Sequence, residues 1–398
     1  MSAIAVQVNH YLTWSPAKIK AFRQTLLTWY DQNGRDLPWR RDQEPYHILI
    51  SEIMLQQTQV QTVIPYYHNF LQHFPTVQAL AAAPEEELLQ VWSGLGYYSR
   101  ARHLQQAAQQ IVQDYGGVWP QTAAGLADLS GVGPYTAGAI ASISFKEAVP
   151  AVDGNAFRVF ARLLEIDLDI AKPQTRSIFA AIIQQIIDPD RPGDFNQAIM
   201  DLGASYLTAK NSDPAHSPVR DFDASWQAGT YEDYPVKTKK AKPVVQQYYV
   251  LALHTPSGWL LSQRSSRELL ARLWLFPLLA VAKINDTKPA ASSGVTEQPI
   301  VLPPAAFKKA LTTIQLQKIQ VEFQELTGIA VVWRDPTLKI VKHVFTHRQW
   351  QLKILTGELT TTPSLALFPG KWFTEADLTN GAIPTVQRKI MQELSQNN

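Results

Sequence analysis

Apolar residues recur at helical spacing through most of the first 225 positions. In "SPAKIKAFRQTLLTWY", Ile19, Phe22, Leu26 and Tyr30 share a face, with Ser15 placed as N-cap and Pro16 at the first helical position. The same spacing predicts helix in "YHILISEIMLQQTQVQTVIPYYHNFLQHF", "PEEELLQVW", "ARHLQQAAQQIVQDY", "TAGAIASIS", "AFRVFARLLE" and "TRSIFAAIIQQII", and strands are scarce before residue 240. The pattern then changes to strands and turns. "YYVLALHTPSGWLLSQR" predicts a hairpin about a Pro/Ser/Gly turn, "RLWLFPLLAV" and "HVFTHRQWQLKILTGEL" predict further strands, and "AAFKKALTTIQLQKIQVEFQEL" predicts helix. Between the two regimes, residues 226–245 lose periodicity and carry Lys237, Lys239, Lys240 and Lys242, which reads as a linker. The chain therefore reads as an all-α domain over 1–225 and a smaller α+β domain over 246–398. "AASSG", residues 290–294, reads as a loop.

With 45% apolar and 18% charged residues, the 398-residue chain has a folded rather than a disordered composition. No apolar run approaches the roughly 18 residues of a membrane span. The N-terminus lacks the pattern of a signal peptide, so a cytoplasmic protein is expected. There is no cysteine, which excludes disulfides, thiolate nucleophiles and cysteine-ligated zinc or iron–sulfur sites. The net charge of +2 hides an asymmetry: residues 1–225 hold 16 Lys+Arg against 22 Asp+Glu, and the remainder 20 against 12. An acidic first half has no global field to attract nucleic acid, so any such binding must rest on local groups and backbone amides.

Several stretches carry candidate chemistry. The turn at Gly131, Val132 and Gly133 permits positive φ and leaves the amides opening the next helix free for an anion such as a backbone phosphate, although a plain helix corner has the same composition. Glu52 sits among Ile48, Leu49, Ile50, Ile53, Met54 and Leu55. Burial there would raise its pKa and suit it to act as a general acid; the ordinary alternative is a surface glutamate. Asp153 precedes a clear helix, where an N-cap carboxylate is held ionised by the local dipole. Two carboxylates in unlike environments are what breaking a glycosidic bond requires. In "GLGYYSRAR", Tyr97 either packs or wedges between bases, with Arg100 and Arg102 on phosphates. "LPWRRD" offers Trp39, Arg40 and Arg41, and Gln56, Gln57 and Thr58 suit base edges but are equally ordinary on a helix surface.

Taken together, "LPWR", "SEIMLQQTQV", "GLGYYSRARHL", "LSGVGPYTAGAI", "VDGNAFRV" and "FNQAIMDLG" resemble, in order and spacing, the helix–hairpin–helix DNA glycosylases, specifically the MutY-type adenine glycosylases. The resemblance covers nearly all of residues 20–205. It implies an all-α helix–hairpin–helix glycosylase domain followed by a smaller α+β Nudix-like domain. It also implies excision of adenine mispaired with 8-oxoguanine or guanine in double-stranded DNA, after base flipping, by a monomer in the cytoplasm, at the nucleoid. On that resemblance Glu52 protonates the adenine, Asp153 stabilises the oxocarbenium-like sugar, and Asn155 orients the water or the aspartate. Trp39, Arg40 and Gln197 line the adenine pocket. Gln57, Thr58 and Tyr97 enter the duplex near 8-oxoguanine, and Gly131, Val132 and Gly133 hold the phosphate backbone. Tyr135 stands where strand-cleaving relatives carry a Schiff-base lysine, so an abasic site is the expected product.

Two departures from the family pattern stand out. Leu207, Pro214, Ser217 and Asp223, in the loop over 207–223, occupy the positions where the family usually has four cysteines around an iron–sulfur cluster. No cofactor is therefore expected, with Tyr206 and Leu207 anchoring the loop. In the second half, "VEFQELTGI" keeps Glu322, Glu325 and Gly328 of the Nudix metal signature, but Phe307, Thr313 and Val321 break it, so pyrophosphate hydrolysis is not expected. "HVFTHRQW" resembles the family's 8-oxoguanine loop, with Phe345, Thr346 and His347; Thr346 replaces the usual serine. The competing readings are a bifunctional glycosylase/lyase for oxidised pyrimidines, opposed by Tyr135, and a non-enzymatic DNA-binding module, which needs neither Glu52 nor Asp153.

Overall fold

The structure is a computed structural model and describes residues 3–239, 242–281, 307–366 and 368–396. Lys240 of the lysine cluster and the loop expected at 290–294 lie outside the described residues. The chain divides into two compact units, Met1–Pro84 with Ser99–Lys240, and Glu85–Tyr98 with Ala241–Asn398.

The first unit is helical: α1 (Ala3–Tyr11), α2 (Pro16–Asn33), α3 (Pro45–Leu55), α4 (Val60–His73), α5 (Val77–Ala82), and, past α6 (Glu85–Val91) of the other unit, α7 (Ser99–Gln113). It continues with α8 (Ala123–Leu126), α9 (Pro134–Ser144), α10 (Gly154–Leu163), α11 (Pro173–Ile186), α12 (Pro192–Ser205) and α13 (Ala224–Ala228). Ser15 caps α2 by accepting from the Lys18 amide at 3.2 Å, and Pro16 opens the helix. Phe22, Leu26, Phe160, Phe179 and Phe195 form one buried core among α2, α10, α11 and α12.

The helical run expected from Tyr46 to Phe74 is two helices. Arg100 Nη1 donates to the carbonyls of Ile53, Met54 and Gln56 at 2.9, 2.9 and 2.6 Å, taking up the free C-terminal acceptors of α3. Gln57 follows at a φ of 58°. Arg100 is thus buried at 7% exposure and does not face a phosphate, contrary to one sequence reading. The stretch read as a linker is ordered against the helical unit as far as Thr238: the Val236 carbonyl accepts from Ile170 N at 3.0 Å and the Thr238 amide donates to Asp169 at 3.1 Å.

The second unit holds β1 (Val244–Thr255), β2 (Gly258–Gln263), β3 (Trp274–Leu275), β4 (Leu278–Ala280), β5 (Val341–Val344), β6 (Arg348–Glu358) and β7 (Gly370–Phe373), with α14 (Thr313–Thr327), α15 (Glu375–Asn380) and α16 (Thr385–Ser395). The sheet runs β3-β2-β1-β6-β5, with β4 on β1 and β7 on β2. β1 pairs parallel with β6, Val244 opposite Arg348, and antiparallel with β2 across the expected hairpin. Tyr248 to Leu253 are all buried, the continuous run of a strand covered on both faces. The helix expected over 305–326 begins only at Thr313, because Thr312 and Gln315 form a capping box that fixes its start.

Candidate active site

A cleft of about 840 Å³ opens in the helical unit, within the range of small-molecule pockets, and Glu52, Tyr135, Asp153, Asn155, Trp39, Arg40, Gln57, Thr58 and Gln197 all line it. Residues separated by up to 158 positions in sequence converge there because α3, α9, α12 and the start of α10 pack together.

α3 is apolar nearly all round, so Glu52 at its centre is buried at 6% exposure. Burial raises its pKa to about 7. The Asp153 charge pushes the same way, while Tyr135 and Arg40 oppose it. Glu52 is therefore available as an acid near neutral pH. The Tyr135 hydroxyl is pushed well above its ordinary pKa by burial and by the Glu52 and Asp153 charges, and it also points at the Met200 sulfur at 3.9 Å.

Asp153 is the N-cap of α10. Its Oδ1 accepts from the amides of Asn155 and Ala156 at 2.8 Å each, and its Oδ2 from Asn155 Nδ2 at 2.6 Å. The sequence reading expects such a carboxylate to be held ionised. Here burial outweighs these donors and Arg158, and the pKa is raised rather than lowered. Asn155 is held in turn, its Oδ1 accepting from Arg158 Nη2. α12 approaches this pair so closely that a Cβ on Gly203 would meet Asn155 Cβ at 2.7 Å, which accounts for the glycine in "FNQAIMDLG".

The other wall carries Trp39, buried edge-on to Tyr67 at 5.4 Å, and Arg40, whose Nη1 and Nη2 donate to Asp201 at 2.7 and 2.9 Å. Arg35 grips the same carboxylate through Nε at 2.6 Å. Burial pushes the Asp201 pKa up, yet the two guanidiniums prevail and hold it below the ordinary range. Gln197 is buried and accepts from the Tyr30 hydroxyl at 3.1 Å. Arg35, Arg176 and Met200 also line the cleft and were missed in sequence; Asp201, inside the quoted "FNQAIMDLG", was the available signal for the arginine pair.

The turn before α9 takes its shape from Gly131, at a φ of 73°, where an added Cβ would strike His103 Cβ at 2.5 Å. Val132 is buried, and Gly133 is the N-cap of α9 with open space where its side chain would be. Gln57 and Thr58 lie at the cleft in the turn that Arg100 shapes, with Arg100 Nη2 at 3.4 Å from Thr58 Oγ1.

The loop after α12 has donors that do not fit an iron–sulfur cluster. Leu207 is fully buried, Pro214 and Ser217 are buried, and Asp223 caps α13 by accepting from the Ser225 hydroxyl and the Trp226 amide at 2.8 and 3.0 Å. Backbone groups are met by arginines instead: Arg158 Nε donates to the Leu207 carbonyl at 3.3 Å, and Arg162 to the Thr208 carbonyl at 3.2 Å. Phe222 packs against Phe22 and Trp14, with ring centroids 5.4 and 5.8 Å away.

In the second unit, Phe345 lies between His343 and Trp350, 4.6 and 4.9 Å from their ring centres, and its amide closes a turn onto the Arg348 carbonyl at 2.7 Å. Thr346 and His347 are exposed at the tip, and the His347 carbonyl accepts from Val244 N at 2.9 Å. Tyr97, exposed and at a φ of 47°, shares a hydrogen bond with Thr346 Oγ1 at 3.1 Å. Glu322 is half-buried on α14, its pKa raised by burial and by Glu325. Among the described residues no three His, Cys, Asp or Glu side chains are grouped to hold a metal ion. A larger cleft, of about 1170 Å³, lies beside β2 and β7; there Arg264 faces Glu268 at 3.4 Å and Arg272 faces Glu85 at 2.6 Å.

Residues 50–185 match a family described as HhH-GPD superfamily base excision DNA repair protein, and residues 248–393 match a NUDIX domain. The chain is 34% identical over 419 residues to an adenine DNA glycosylase of Mus musculus, covering 96% of this chain and 79% of that protein. It is 33% identical over 443 residues to one of Homo sapiens, covering 96% and 76%. An adenine DNA glycosylase of Arabidopsis thaliana is 35% identical over 389 residues, covering 87% of this chain and 59% of the plant protein.

Proposed function

The chain belongs to the adenine DNA glycosylases of base excision repair, and from that premise we propose that it removes adenine paired with 8-oxoguanine or guanine, leaving an abasic site without an iron–sulfur cluster. The observation that carries the reading is the pair of carboxylates on one cleft. Glu52 is tuned by burial to hold a proton near pH 7, whereas Asp153 is surrounded by donors. Glu52 gives its proton to the adenine ring as the N-glycosidic bond breaks and the bonding electrons leave with the base. The Asp153 carboxylate faces the positive charge that develops on the sugar, and water adds to that carbon, its released proton returning to the ionised Glu52. Asn155, bonded to Asp153 at 2.6 Å, orients the aspartate.

Trp39, Arg40 and Gln197 hold the flipped adenine, with Arg40 fixed by Asp201. Gln57, Thr58 and Tyr97 act in the duplex, and the Gly131–Gly133 turn binds its backbone. Phe345, Thr346 and His347 read 8-oxoguanine. Tyr135 has no amine to form a Schiff base, which favours hydrolysis without strand cleavage. Ordinary packing and the two arginines take the place of the cluster in the 207–223 loop.

A single-turnover assay on duplexes with adenine opposite 8-oxoguanine, guanine or thymine, each with and without alkali, tests the proposal. Strand scission only after alkali, fastest opposite 8-oxoguanine, is expected. Nicking without alkali would establish a lyase, and equal rates opposite all three bases would remove the proposed lesion specificity.

A further inference from the structure

The helical unit poses an electrostatic difficulty for a DNA enzyme: its sequence through residue 225 carries six more acidic than basic residues. Cations at the cleft must then be few and well placed, and most are already committed. Arg35 and Arg40 are spent on Asp201, and Arg158 on Asn155 and on the Gly154, Gly203 and Leu207 carbonyls.

Arg176 differs. It lies in the first turn of α11, is exposed, and lines the cleft beside Val152, Asp153, Gly154 and Asn155. Its Nη1 donates to the Val152 carbonyl, one residue before Asp153, and its guanidinium sits 5.4 Å from the Phe157 ring centre. Phe157 is itself buried edge-on to Phe179 at 4.9 Å, so the guanidinium rests on a rigid floor. No carboxylate pairs with Arg176 among the described residues. A guanidinium has five N–H donors in a planar fork, and four of these remain available here.

We propose that Arg176 binds a backbone phosphate flanking the flipped adenosine, anchoring the strand next to Asp153. This assignment rests on the glycosylase reading of the cleft. A guanidinium fork matches a phosphate's paired oxygens, and a fork fixed on one side by a carbonyl and beneath by a ring loses little freedom on binding. The Asp153 carboxylate is already held by the Asn155 and Ala156 donors, whereas Arg176 is bonded to the Val152 carbonyl and rests on the Phe157 ring.

The test is DNA binding across a range of salt concentrations, measured by fluorescence anisotropy with Glu52→Gln protein so that no substrate is consumed. Arg176→Ala and Arg176→Lys are compared in that background on duplexes with adenine opposite 8-oxoguanine and opposite guanine. Arg176→Ala is expected to weaken binding to both duplexes by on the order of tenfold at low salt. It should also make the slope of log affinity against log salt shallower by about 0.9, the loss of one phosphate contact. Arg176→Lys is expected to restore the slope, and unchanged melting temperatures would show that the fold is intact. An unchanged slope in Arg176→Ala, even with weaker binding, would reduce Arg176 to a support for the Val152 carbonyl and overturn the proposal alone. Failure of the Glu52→Gln parent to bind either duplex would instead overturn the function on which it depends.

Discussion

Arg158 donates from one nitrogen both to the Asn155 side-chain oxygen and to the Gly203 carbonyl, the latter at 2.9 Å. With Nε on the Leu207 carbonyl, one guanidinium joins the loop after α12 to the amide that grips Asp153. Arg158→Leu frees Asn155 to rotate and lets Asp153 drift from the sugar. Single-turnover excision is expected to fall by on the order of a hundredfold, since small misplacements of a reacting group have effects of that size. A rate within twofold of the native protein would mean that Asp153 is positioned by its N-cap bonds alone.

Glu52 must carry its proton to act as an acid. Burial, reinforced by Asp153, sets its pKa at about 7, so single-turnover excision should hold steady below that pH and fall as pH rises through it. A rate profile to pH 9 on an 8-oxoguanine duplex checks this. A flat profile would remove Glu52 from the proton-transfer step.

The same burial has a cost in stability. Because the folded pKa of about 7 lies above the ordinary 4.5, proton binding favours the folded state. That stabilisation is whole below pH 4.5 and is lost by the time pH passes about 7, a difference of about 3 kcal/mol. Glu52→Gln cannot ionise, so its melting temperature should gain on that of the native protein as pH rises from 5 to 8. A constant gap across that range would contradict the assignment of a buried, ionising glutamate.

Tyr97 and Thr346, 249 positions apart, meet through one hydrogen bond. Thr346→Ala and Tyr97→Phe should each reduce the preference for 8-oxoguanine over guanine opposite adenine by roughly tenfold. The double variant should lose little more than either single one, the signature of a shared interaction in a double-mutant cycle. Thr346→Ser should retain the preference. Additive losses would show that the two residues act on the DNA separately.

The helices of the first unit were legible because their apolar faces repeat at the helical period and their starts carry local signals such as Ser15 and Pro16. The division between α3 and α4 was not, because Arg100, more than forty positions away, enforces it. Arg100 itself looked like a phosphate ligand, since nothing local marks a guanidinium that will be buried under carbonyls. Glu52 was visible as a carboxylate among apolar neighbours. The N-cap role of Asp153 was visible as well, but not its depth of burial, since a cap shows its donors in sequence and not how deeply it is covered. Arg176 has no local signal either: its place at the cleft comes from α11 packing beside the start of α10.

Without cysteine, the chain confines its oxidisable sulfur to four methionines, and the Met200 thioether stands 3.9 Å from the Tyr135 hydroxyl in the cleft. A thioether accepts a hydrogen bond weakly, whereas a sulfoxide is polar and binds a donor firmly. Oxidant reaching the cleft would draw the Tyr135 hydroxyl toward residue 200 and away from Glu52, lifting the pKa that this contact restrains. Peroxide treatment followed by peptide mass analysis and excision assays would read both changes together, with Met200→Leu as the resistant form. A chain free of thiols thus keeps one of its four oxidisable sulfurs against the hydroxyl that restrains the Glu52 pKa.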